Sequence, residues 1–178
     1  MRIRQAPAEV LASLAELQVA AGQVFRDVGM PEVAQNNVDM ADLEARQAAG
    51  QVWIGEYDGR IAGFVTASVV DGYAHIEQVS CVPDLAGQGI GRRLMEHVEV
   101  IGRHRGTSAT TLTTFRDVPW NAPYYRRLGY RELSLHEVGP ELQDILSAEA
   151  AYPGIDATKR CAMIKPNRRG PDLPRIRR

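Results

Sequence analysis

The stretch Val79-Ser80-Cys81-Val82-Pro83-Asp84-Leu85-Ala86-Gly87-Gln88-Gly89-Ile90-Gly91-Arg92-Arg93-Leu94 joins an apolar run to a glycine-rich turn, and the turn to a helical repeat. Glycines let successive backbone amides converge without interference from Cβ, and a helix start adds positive potential. Gly87, Gln88, Gly89, Ile90, Gly91 and Arg92 are therefore suited to holding a pyrophosphate. Taken alone, the same residues also make a plain tight turn. A Walker A loop is excluded, because its Lys-Ser/Thr ending is replaced by Arg92 and Arg93. The dinucleotide fingerprint is excluded as well. Its third glycine would fall on Arg92 or Leu94, depending on which pair starts the count.

Other residues carry acid–base potential. Strand parity places His75, Glu77, Val79 and Cys81 on one face, which sets an imidazole and a carboxylate side by side as candidate bases. The alternative is a satisfied structural histidine beside a solvated glutamate. Tyr125 offers a phenol, and Asn121 is able to cap the helix that follows it. Cys81 has no accompanying base motif and is not a nucleophile candidate. His97, His104 and His136 lack ligand spacing and read as surface residues, so no metal site is expected. Trp53 and Trp120 read as core or rim residues.

These groups need elements to hold them. Arg2 to Gln5 is a short strand, and Ala8 to Gly22 an amphipathic helix with Val10, Leu14, Leu17 and Ala21 on one face. Phe25 to Val38 connects to a second helix that carries Leu43 and ends near Gly50. Gln51 to Tyr57 and Arg60 to Val70 form a hairpin on Asp58-Gly59, and Asp71-Gly72 turns into a strand from Tyr73 to Val82. Ile90, Leu94, Val98 and Ile101 share a helical face. The strand from Ser108 to Phe115 follows that helix, so it runs parallel to the strand before the helix, which makes the sheet mixed. A helix over Asn121 to Leu128, a strand over Tyr130 to Val138, a helix over Glu141 to Ala151 and a strand over Thr158 to Lys165 complete the order.

Length and composition bound the rest. The 178 residues suit one domain, 1–165, followed by a loose arginine-rich tail over 166–178. With 44% hydrophobic and 24% charged residues and a net charge of -1, the chain gives no reason to expect nucleic acid or a membrane as partner. Cys81 and Cys161 lack the pairing of a disulfide framework, and no apolar stretch reaches spanning length, so a cytoplasmic location is expected.

The glycine turn resembles the acetyl-CoA signature of the GNAT N-acetyltransferases, Gln/Arg-x-x-Gly-x-Gly/Ala, with Gly89 and Gly91 at its glycines and Ala86 in place of Gln/Arg. Val79-Ser80-Cys81 is similar to the family's Leu-x-Val strand end, with Cys81 replacing Val. Tyr125-Arg126-Arg127-Leu128-Gly129-Tyr130 looks like its Tyr-x-x-x-Gly-Phe ending. The resemblance spans Ile3 to Lys165. It implies an α/β fold of six or seven strands, splayed between the fourth and fifth, with about four main helices. It implies acetyl-CoA as co-substrate and transfer to a primary amine, of a small molecule or a protein. A CoA-binding sensor without catalysis is the alternative.

The resemblance further implies roles for residues. Tyr125 would protonate the departing thiolate, and the backbone at Val79, Ser80 and Cys81 would pair with the pantetheine arm and polarise the thioester carbonyl. Asn121 would contact CoA. His75 or Glu77 would be the base. Many members of the family dimerise, which leaves a homodimer as an open expectation.

Overall fold

The computed structural model describes residues 1–35 and 38–167, so Asn36, Asn37 and the tail from Arg168 onward lie outside the described residues. Its seven strands are β1 (Arg2–Gln5), β2 (Val52–Tyr57), β3 (Arg60–Val70), β4 (Tyr73–Cys81), β5 (Ala109–Phe115), β6 (Arg131–Glu132) and β7 (Arg160–Pro166). They form one sheet in the order β1-β2-β3-β4-β5-β7-β6. All neighbours are antiparallel except β4 and β5, so the mixed sheet is as expected. Both central residues of each tight turn have positive φ, 49° and 76° at Asp58-Gly59 and again at Asp71-Gly72. That is the twist a type I′ hairpin requires.

The helices are α1 (Leu11–Gly22), α2 (Pro31–Ala34), α3 (Met40–Ala48), α4 (Ile90–His104), α5 (Ala122–Arg127) and α6 (Pro140–Ala150). They divide between the faces of the sheet. On one face α4 lays Ile90, Leu94 and Val98 against Trp53, Val65, Ala74, Ile76 and Leu112, and α5 adds Ala122 and Tyr125. On the other, α1 and α3 press Leu11, Leu14 and Leu43 onto Val52, Ile54 and Phe64, while α6 covers Val70 and Ala162 through Leu142. Asp71 anchors α6 to the β3–β4 turn: its carboxylate accepts from the amides of Glu141 (3.1 Å) and Leu142 (3.0 Å). On this second face α1 lies over β3 and β4, and α6 lies over β7 and the end of β3.

Several segments depart from the sequence expectations. Tyr130 to Val138 is strand only at Arg131–Glu132. Ser134 and Glu137 then form a capping box that turns the chain into a short 3-10 helix. The connection after α1 contains the one-turn helix α2, started by Pro31, whose fixed φ suits a first helical position. The described start of the tail is ordered. Pro166 ends β7, and Asn167 donates its amide to the Ser108 carbonyl and its side chain to Thr107.

Candidate active site

Two irregularities at the sheet centre build the site. Opposite β3, Gln78 pairs with Thr66 and Ile76 with Ala67, so Glu77 is an extra residue with no counterpart, a β-bulge. Next to it, β4 and β5 pair only at Ala74–Thr110, His75–Thr111 and Ile76–Leu112. Beyond Ile76 they part, because β4 stays with β3 to Cys81 while β5 stays with β7 to Phe115. A bulge bends its strand and raises local twist, which accounts for the split at this point. The splay between the fourth and fifth strands is therefore present, and it leaves the β5-facing edge of Glu77 to Cys81 unpaired by β5.

The bulge also corrects the parity expectation. Ala74 and Ile76 lie in the α4 cluster, and so do Val79 and Cys81, although simple alternation would separate the two pairs. His75 and Glu77 point to the opposite face, where the Glu77 carboxylate forms an ion pair with the Arg46 guanidinium of α3. The strand thus presents its two candidate bases on one side of the sheet and Val79 and Cys81 on the other. Ser80 is buried on the base side, opposite Phe64, and accepts a hydrogen bond from Gln78 at 2.8 Å.

His75 is 1% exposed, and its Nδ1 lies 3.0 Å from the Thr111 hydroxyl. Burial, followed by the nearby Arg46 charge, lowers its pKa from 6.5 to about 4, against the opposing pull of Asp71. The folded chain therefore holds His75 neutral while the unfolded chain protonates it near pH 6.5. This contribution to stability is complete above 6.5 and is lost as pH falls toward 4. The shift of about 2.5 units corresponds to about 3 kcal/mol. We expect the urea midpoint of a His75→Asn variant to fall less steeply than that of the parent between pH 7 and pH 4; parallel curves would contradict the assignment.

Across the sheet lies the glycine turn. A short 3-10 helix, Pro83–Leu85, leads into Gly87 and Gly89 at φ of 80° and 72°, and Gly89 is the residue before α4. A Cβ added at either position would meet nothing within 4 Å, so the turn opens outward. No side chain caps the start of α4, which leaves its first amides facing the opening. Gly91 faces the end of β4, where a Cβ would stand 3.4 Å from the Cys81 sulfur, at the edge of ordinary van der Waals contact. Ile90 is buried in the core, Gln88 is exposed, and Arg92 is exposed in an ion pair with Glu96 at 2.7 Å.

Tyr125 packs on the α4 cluster, edge-on to Tyr124 (5.6 Å) and Tyr130 (6.2 Å). Burial and then Tyr124 push its pKa up to about 12, so the phenol stays protonated. Cys81 belongs to the same surroundings and burial raises it to about 11, which makes it an inert thiol. Asn121 stands before α5 but its side chain does not cap the helix. Its Nδ2 instead donates to the Thr114 hydroxyl at 2.8 Å, on the splayed part of β5, and its Oδ1 is buried without a partner. That arrangement fixes the amide and leaves an acceptor for a ligand N–H.

Arg46, Thr111, Thr114 and Tyr124 were missed by sequence reasoning. No local pattern links Arg46 to Glu77, since their meeting depends on how α3 crosses the sheet. His97 is half-buried rather than a surface residue, edge-on to Trp53 at 6.0 Å. Among the described residues, no group of three or more His, Cys, Asp or Glu is placed to hold a metal ion, and no helix is long and apolar enough to cross a membrane.

Comparison with known proteins agrees with this architecture. Residues 13–130 match the model of the acetyltransferase (GNAT) family. The PaiA N-acetyltransferase of Thermoplasma acidophilum, solved with coenzyme A, superimposes with a TM-score of 0.70 at 16% identity, over 93% of this chain and 98% of that one. A GNAT family acetyltransferase of Staphylococcus aureus gives 0.71 at 13% identity, over 94% and 99%. A Gcn5-related N-acetyltransferase of Rhodopseudomonas palustris gives 0.65 at 22% identity, over 93% and 94%. At these identities the likeness is one of fold.

Proposed function

Because the chain belongs to the acetyltransferase (GNAT) family, we propose that it passes the acetyl group of acetyl-CoA to a primary amine by direct attack in a ternary complex. One observation carries the proposal: β4 and β5 part beside a glycine turn that opens outward, with a protonated phenol on one face of the sheet and a carboxylate on the other. A thioester arm lying in the gap would expose its carbonyl between the two.

The residues then divide the work. Amides of Gly87 to Arg92 hold the diphosphate, and Asn121 Oδ1 accepts from the arm. Unpaired amides along β4 face the carbonyl oxygen and stabilise the charge it gains. The amine nitrogen forms a bond to the carbonyl carbon, the carbon–sulfur bond breaks, and the electron pair leaves on sulfur. One proton passes from the amine through water to Glu77, and one passes from Tyr125 to the sulfur. Glu77 is the better candidate base because it is partly exposed at the mouth of the gap, whereas His75 is sealed beneath it. His75, bonded to Thr111, belongs to the buried frame of the same strand.

The Arg46–Glu77 ion pair favours one rival, a CoA-binding sensor whose carboxylate is permanently engaged. A thiol-release assay with acetyl-CoA and a panel of amines, small molecules and peptides alike, separates the two. Release that depends on an amine supports the transferase, and tight CoA binding with no release from any amine supports the sensor. Mass spectrometry of a lysate incubated with labelled acetyl-CoA then tells a protein acceptor from a small one.

A further inference from the structure

Between α4 and α5 lies a polar cavity of about 120 Å³, floored by Met95 and Leu128 and walled by Arg92, Arg127, Lys165, Glu96 and Glu99. Its charges are not equally committed. Lys165 bonds Glu99 at 2.8 Å with both side chains largely covered, so that pair is part of the frame. Arg92 and Glu96 form an exposed pair one helical turn apart, the weak and easily rearranged kind. Arg127 rests over the Tyr124 ring at 5.6 Å, and among the described residues no carboxylate lies within ion-pair distance of it.

Position gives the cavity meaning. Arg92 belongs to the first turn of α4, so its amide faces the glycine opening while its side chain lines the cavity. Tyr124 joins the two regions: its ring stands edge-on to Tyr125, which packs with Cys81 on the α4 cluster, and carries the Arg127 guanidinium over its face. A ligand whose diphosphate sits in the glycine turn therefore has a second cationic station one side chain away. Coenzyme A carries, beyond its diphosphate, a phosphate monoester on the ribose. Two guanidiniums suit such a dianion, since each can offer a forked pair of donors.

We propose that Arg92 and Arg127 form a subsite for this ribose phosphate, which makes the protein discriminate coenzyme A from carriers that end in the diphosphate alone. The proposal rests on the reading of the chain as a CoA-dependent transferase. It is tested by calorimetry of coenzyme A and of dephospho-coenzyme A with the intact protein and with Arg127→Ala, Arg127→Lys and Arg92→Ala. The parent protein should bind coenzyme A at least about tenfold more tightly than the dephospho form, the scale of one charge-assisted contact. Arg127→Ala and Arg92→Ala should each lose most of that preference by weakening coenzyme A alone, and Arg127→Lys should restore part of it. Equal binding of the two carriers by the parent protein overturns the subsite and leaves the transferase reading standing. Failure of the parent protein to bind either one overturns both.

Discussion

Replacing Gly89 with proline should weaken coenzyme A binding by more than about a hundredfold, measured by calorimetry. Gly89 sits at φ of 72° immediately before α4. Proline is locked near φ of -65°, so the chain cannot enter the helix at the same angle and the amides of Ile90, Gly91 and Arg92 no longer converge on one point. Removing two or more charge-assisted amide contacts is worth about 3 kcal/mol or more, which sets the hundredfold scale. Gly89→Ala provides the graded control. A Cβ there meets open space, so the substitution carries only the left-handed backbone strain of about 1–2 kcal/mol, and binding should fall but persist. The α4 core residues Leu94 and Val98 are untouched by either change, so near-native helix content by circular dichroism is expected. Unchanged affinity in the folded proline variant would remove the turn from the site.

Tyr125→Phe should lower turnover about a hundredfold or more, with coenzyme A affinity altered by less than about threefold. The phenol faces an apparent obstacle. At a pKa of about 12 it is a weaker acid than an ordinary tyrosine, while a thiol in water has a pKa of about 8.5. The surroundings correct the comparison. Cys81, a thiol packed on the same cluster, is raised by burial to about 11. A departing thiolate drawn out of water beside that cluster is made more basic in the same direction, which narrows the gap and allows proton transfer across a short contact. Tyr125 stays protonated at every pH below about 12, so it contributes no alkaline fall in rate between pH 8 and pH 10. Two results would exclude it as the acid: turnover unaffected by the substitution, or an alkaline limb below pH 10 that vanishes in Tyr125→Phe.

The fold was legible wherever the signal is local. Asp58-Gly59 and Asp71-Gly72 announce hairpins because the turn itself demands positive φ, and Ile90, Leu94, Val98 and Ile101 announce a buried helix face because 3.6-residue periodicity needs no partner to be seen. The glycine turn belongs to the same class, since its chemistry lies in its own backbone. The short Arg131–Glu132 strand was overread for the opposite reason. Tyr130 to Val138 has strand-like composition, but its length is decided by how far β7 can pair with it and by the capping box at Ser134.

The candidate base was half legible. His75 and Glu77 could be picked out by residue type and spacing, and their place on one face is as expected, but Val79 and Cys81 were assigned to that face wrongly. The parity of β4 changes at Glu77 because β3 supplies one residue where β4 supplies two, a property of the ladder and of neither strand alone. The same holds for the gap that would admit a thioester, which exists because β4 keeps faith with β3 and β5 with β7, and for Arg46, which reaches Glu77 from another layer. Local backbone preferences thus suffice to write the turn and the helix it opens. The face on which each side chain emerges depends on pairings between strands distant along the chain, and those energies come into being only when the sheet closes.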